Sequence, residues 1–273
     1  MATNRSSDSS QSFSSHPAPW QCKCETYWFI LWLPKQLPRG IYDPLEASSP
    51  DFASPQSAGD FKSGIGMIQI VRYSETPVGP YDELLVMPGN FKVPGGQQRG
   101  KARLRISRIY VSQRETCYAG RQNWNIPKHL ARFEFSSPPV AKGSAPSSPL
   151  TISVFPPGTD DSTPFFTATL TPMKWVPPIP NFSTKYLPLS TILAQPPLPS
   201  GDEAMLCGTD LWRTFKVNAH AKKARCTWIA VAESTRKDQE AYWPATKDLK
   251  PWSIGLWLED ATLDFPAPEE FKL

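Results

Sequence analysis

Gly120-Arg121-Gln122-Asn123-Trp124-Asn125-Ile126-Pro127-Lys128-His129-Leu130-Ala131 is the stretch on which the reading of this fold turns. Pro127 predicts a short helical turn there, because proline at a first helical position gives up an amide donor that would have no partner. Lys128 then falls among the first residues of that turn. The stretch also places a Gly-Arg pair seven residues ahead of a Pro-Lys pair.

Strand-like runs of β-branched and aromatic residues, broken by Pro/Gly/Ser clusters, surround it on both sides. They span Thr26 to Leu33, Gly66 to Tyr73, Leu84 to Met87, Arg103 to Ser112, Ala131 to Phe135, Leu150 to Phe155, Phe165 to Thr171, Cys226 to Ala232 and Ile254 to Leu258. Within the fourth run the apolar residues Leu104, Ile106, Ile109 and Val111 change spacing from two to three, which predicts a β-bulge near Ser107-Arg108. The 31 prolines are about twice the usual share of roughly 5% and argue against long helices. Two proline-rich stretches, Ser136 to Pro149 and Pro172 to Pro199, read as long surface loops or subunit-contact arms. The expectation is a mainly β, mostly antiparallel protein: a disordered tail over residues 1–18, then a single domain over 19–273.

At 40% hydrophobic and 20% charged residues the composition is that of a soluble globular protein. The longest strongly apolar run, Tyr27 to Leu33, is far shorter than the roughly 18 residues of a membrane-spanning helix, so no membrane partner is expected. Five cysteines without a regular framework favour a reducing compartment, with cytoplasm as the default. Cys22-x-Cys24 lacks a second Cys/His pair at zinc spacing, so no metal is expected. A net charge of +4 is mild, and the basic stretch His220 to Arg225 reads as a solvated turn rather than a nucleic-acid footprint.

Four segments together carry a resemblance: the quoted stretch, Gly79-Pro80-Tyr81-Asp82-Glu83-Leu84-Leu85, Ala18-Pro19-Trp20 and Asp43-Pro44-Leu45-Glu46. As a set they resemble the acetoacetate decarboxylase superfamily, especially its fungal members, over roughly the first half of the chain. The resemblance implies an antiparallel β-cone or double-layer barrel with a few short helices, closed around a pocket and assembled into homo-oligomers. It implies that Lys128 forms an imine with a ketone and that Glu83 is the pocket acid/base. Arg121 becomes a structural bridge or a carboxylate anchor, and His129 a modulator. The family needs no cofactor, and none is expected.

The chemistry accounts for these residue types. An amine attacks a ketone only when neutral, and at an ordinary pKa of about 10.4 making a lysine half neutral at pH 7 costs roughly 4–5 kcal/mol. Acetoacetate decarboxylase is itself a standard example of a lysine activated for this purpose by desolvation or a neighbouring cation. Here the residue after Lys128 is His129, where the classical enzymes have a second lysine. Desolvation and the positive end of the helical turn are then expected to lower the amine's pKa. The protonated imine is an electron sink, and a carboxylic acid such as Glu83 protonates the enamine that follows bond cleavage. Asp82 is the poorer choice, since in a strand it points to the opposite face.

Three further departures from the family pattern are visible. Gln122 replaces the glutamate of Gly-Arg-Glu, no arginine occurs near Cys24-Glu25, and Ile68 stands where a second carboxylate is found. The expected activity is therefore a cofactor-free Schiff-base lyase of secondary metabolism acting on a keto acid or related carbonyl compound, of decarboxylase or aldolase/dehydratase type. The alternatives are a non-catalytic small-molecule binder and an imine-independent pocket enzyme. The aromatic segment Tyr27 to Trp32, with Trp124, Trp175 and Trp228, is expected in the core, some of it lining an apolar cavity.

Overall fold

The computed structural model describes residues 13–34, 36–146, 148–158, 161–188 and 190–273, so the first twelve residues of the expected tail lie outside the described residues. Residues 13–18 lie against the body of the protein, where Phe13 stacks on Tyr118 at 4.9 Å and the His16 carbonyl accepts from Trp20 and Asn123.

The strands are β1 (Trp20–Leu33), β2 (Phe61–Glu75), β3 (Tyr81–Met87), β4 (Asn90–Lys92), β5 (Ala102–Leu104), β6 (Arg108–Val111), β7 (Lys128–Leu130) and β8 (Arg132–Phe135). They continue with β9 (Leu150–Phe155), β10 (Phe166–Pro172), β11 (Ile179–Ser183), β12 (Ile192–Gln195), β13 (Trp212–Lys216), β14 (Asn218–Val231), β15 (Ile254–Phe265) and β16 (Glu269–Phe271). One-turn helices α1 (Pro44–Ala47), α2 (Pro50–Ala53), α3 (Pro55–Ala58) and α5 (Gln239–Tyr242) accompany the longer α4 (Arg114–Trp124). Among the described residues no helix is long and apolar enough to cross a membrane.

A continuous mainly antiparallel sheet runs β16-β13-β12-β5-β4-β2-β1-β15-β14-β10-β9-β8, with β3 joining β2 to β6 and β6 joining β7. Among the described residues two pairings are parallel, β5 with β12 and β6 with β7. Because strand side chains alternate between faces, the central strands feed two cores at once. Trp28, Val71, Tyr81 and Leu85 enter one core; Tyr27, Phe29, Ile70 and Leu84 enter the other. That is the double layer, and it explains why the central strands are apolar on both faces.

Several expectations are corrected. The turn at Pro127 is absent: the helix lies before it, ends where Asn125 takes a left-handed φ of 54°, and Lys128 opens β7 beside Ile109. A left-handed Asn is a natural helix stop. Helix α4 has no counterpart among the sequence-based expectations because its buried side, Thr116, Cys117, Ala119, Gly120 and Arg121 followed by Trp124, carries no periodic stripe of large aliphatic residues. The chain breaks between β5 and β6 instead of bulging, while register shifts occur in β1 at Lys23/Cys24 and Cys24/Thr26 and in β2 at Phe61/Ser63. His220 to Arg225 is strand, not turn: Ala219, Ala221 and Ala224 face inward while His220 and Lys222 are exposed. Pro172 to Pro199 holds β11 and β12. Trp124 is buried as expected, whereas Trp175, Trp228 and Trp32 are exposed.

Candidate active site

An apolar cavity of about 410 Å³ opens between the sheet and the β11–β12 segment. Trp28, Met67, Leu85, Ile109, Leu193 and Phe265 supply much of its wall, and Lys128, Glu83 and Tyr73 its polar floor.

Each floor residue is placed by register. Glu83 stands on β3 between Tyr81 and Leu85, all on the cavity side, while Asp82 pairs with Arg72 on the other face as expected. Lys128 lies beside Ile109, which pairs with Leu85. Its Nζ reaches Glu83 Oε2 at 3.0 Å, donates to Thr116 Oγ1 at 2.9 Å and Tyr81 Oη at 3.3 Å, and sits 4.9 Å from the Tyr81 ring centre. Tyr73 donates to Glu83 Oε1 at 3.3 Å. Gly120 gives the lysine stem its room, since a Cβ there would stand 2.6 Å from Lys128 Cδ. Tyr73, Tyr81 and Thr116 were not foreseen as site residues, although Tyr81 lies in the Tyr-x-Glu motif.

The charge state departs from expectation. Burial pushes the Lys128 amine down, but the Glu83 carboxylate and Tyr81 outweigh it, and the net direction is upward. The turn expected to begin at Pro127 is absent, so no positive helix end opposes this; α4 ends at Trp124, ahead of the lysine. Tyr81 itself is pushed up, chiefly by burial, and Tyr73 likewise, so both phenols keep their proton near pH 7.

Arg121 and His129 lie behind this floor. Arg121 Nη1 pairs with Glu46 Oε1 at 2.8 Å in full burial, its other nitrogens donate to the carbonyls of Pro199 at 2.7 Å and Cys207 at 3.1 Å, and Nη1 also reaches the Lys128 carbonyl at 3.4 Å. The same carbonyl accepts from the Cys117 thiol at 3.0 Å. His129 Nε2 is 2.7 Å from Glu46 Oε2. Burial pushes Glu46 up, yet His129 and Arg121 more than offset it, and the carboxyl is held below its ordinary range. Of the two readings of Arg121, the contacts match the structural bridge: neither it nor His129 lines the cavity.

Asp43, Glu46 and His129 bring three metal-type ligand atoms within 4.8 Å of one another. Arg108 already pairs with Asp43 at 3.3 Å and Arg121 with Glu46. A divalent ion would add positive charge beside two buried guanidiniums, so the cluster fits an ion-pair network rather than a metal centre.

The chain has the fold of acetoacetate decarboxylase. A crystal structure of that enzyme from Legionella pneumophila superposes with a TM-score of 0.57 at 12% identity, covering 99% of this chain and 98% of that one. An acetoacetate decarboxylase-like enzyme from Sphingomonas wittichii gives 0.58 at 10% identity over 94% of each chain. The enduracididine biosynthesis enzyme MppR complexed with pyruvate gives 0.53 at 12% identity over 96% of this chain and 93% of its own. No family model matches the sequence, and no curated protein matches it significantly.

Proposed function

We propose that the protein is a cofactor-free carbon–carbon lyase that binds a keto acid or related carbonyl compound as an imine on Lys128. One observation carries the reading: a buried lysine amine faces an apolar cavity 3.0 Å from a carboxylate. The neighbours named as acetoacetate decarboxylases, and MppR with its bound pyruvate, support a small carbonyl ligand.

The resting pair is ammonium and carboxylate. A ligand that fills the cavity expels water, and transfer of one proton from Lys128 Nζ to Glu83 then removes two buried charges. The neutral amine forms a C–N bond to the carbonyl carbon, and the former carbonyl oxygen leaves as water with the proton returned by Glu83. The iminium takes up the electron pair of the breaking C–C bond. In a retro-aldol cleavage Glu83 accepts the β-hydroxyl proton as the carbonyl fragment leaves and returns it to the enamine carbon. In a decarboxylation CO2 leaves and the proton that replaces it enters from water through Glu83. Hydrolysis of the iminium frees Lys128.

A second reading, binding without turnover, is favoured by the raised Lys128 pKa, because a charged amine is not a nucleophile. Borohydride reduction in the presence of keto acids and ketones, with mass spectrometry of the Lys128 peptide, separates the two. An adduct that disappears in Lys128→Ala is the expected result; ligands that bind without ever giving an adduct would refute the imine. The continuity of the sheet supports reading 19–273 as one domain. Cytoplasmic location, homo-oligomeric assembly and a place in specialised metabolism complete the proposal.

A further inference from the structure

The charges that line the cavity are one cation and one anion, Lys128 and Glu83, and they are paired with each other. No arginine, histidine or second lysine joins them among the described residues of the wall. A ligand carboxylate would make two anions against a single cation in an apolar enclosure, an arrangement that burial penalises. The cavity volume lies within the roughly 300–1,000 Å³ of pockets that enclose drug-sized ligands, so the space suits a body much larger than acetoacetate.

We infer that the substrate is an uncharged carbonyl compound with an extended apolar body rather than a free short-chain keto acid. The covalent step rests on the imine reading above; the selection by charge and shape does not. For such a compound the bond-breaking step is retro-aldol in type, with Glu83 carrying the proton, and no carboxylate is needed.

The test uses the full chain and four probes: benzylacetone, its para-methoxy derivative anisylacetone, its para-carboxylate, and acetoacetate. Calorimetry is expected to show the two neutral ketones binding at least tenfold more tightly than the two anions. Anions binding as tightly as the neutral ketones, or no binding of either neutral ketone, would overturn the inference. Borohydride trapping in the same samples reports on the imine separately: neutral ketones that bind selectively but leave Lys128 unmodified support the ligand class while removing the covalent step.

Discussion

Two cation–carboxylate clusters meet back to back at consecutive residues of β7, one around Lys128 and one around His129. Both are buried, yet they are built to opposite ends. In the first, Glu83 and Lys128 face a cavity, and the lysine's other partners are neutral hydroxyls. In the second, Glu46 is held between Arg121 and His129, and Arg121 also binds three backbone carbonyls, two in the β12–β13 connection and one in β7. An ammonium–carboxylate pair can neutralise itself by moving one proton, whereas a guanidinium stays charged. The first cluster is therefore convertible, and the second is a fixed clamp on the backbone that carries the amine.

Glu83→Gln should disturb this contrast most. It should lower turnover by about 10²–10⁴-fold, the usual worth of a positioned acid/base. Without its counter-ion the buried amine should fall in pKa, so acylation of Lys128 followed by mass spectrometry should begin at lower pH. The sign for stability follows: a lysine raised in the folded state contributes fully below its ordinary value of about 10.4 and loses that contribution as pH climbs through the folded value. Glu83→Gln should flatten this alkaline limb in pH-dependent melting.

Next comes Arg121→Leu, which leaves Glu46 buried without its guanidinium. Urea denaturation should show a loss of about 3–5 kcal/mol, the cost of breaking a buried pair from one side. Adding Glu46→Gln should recover part of it. Recovery of nothing would mean that Arg121 acts through the carbonyls alone.

The smallest effect, and the one that separates geometry from stability, is Gly120→Ala. Alanine is better than glycine inside a helix by about 0.8–1.0 kcal/mol, which offsets much of the strain the new methyl brings. That methyl would stand 2.6 Å from Lys128 Cδ and 2.7 Å from Cε, too close for contact, and push the stem off its rotamer, a strain of about 0.5–1.5 kcal/mol. Borohydride trapping should then slow by up to roughly tenfold.

How far the site could be read beforehand differs by residue. Lys128 and Glu83 were legible through their motifs, and strand parity correctly separated Glu83 from Asp82. Glu46 stands in the recognisable Asp43–Glu46 run, but nothing local says that it pairs with a residue 75 positions later. Tyr73 and Thr116 were out of reach for the same reason: each meets the site across a strand pairing or a helix face.

Local sequence was enough to mark most of the longer strands, because alternation and β-branched content act over a few residues, and a short motif was enough to single out Lys128. Tertiary packing alone made Lys128 open a strand instead of a helical turn, let small and polar residues build α4, and raised the amine's pKa. Those outcomes depend on what lies across the cavity: the carboxylate 3.0 Å away prevails over desolvation, and no stretch of sequence encodes the distance between the two partners.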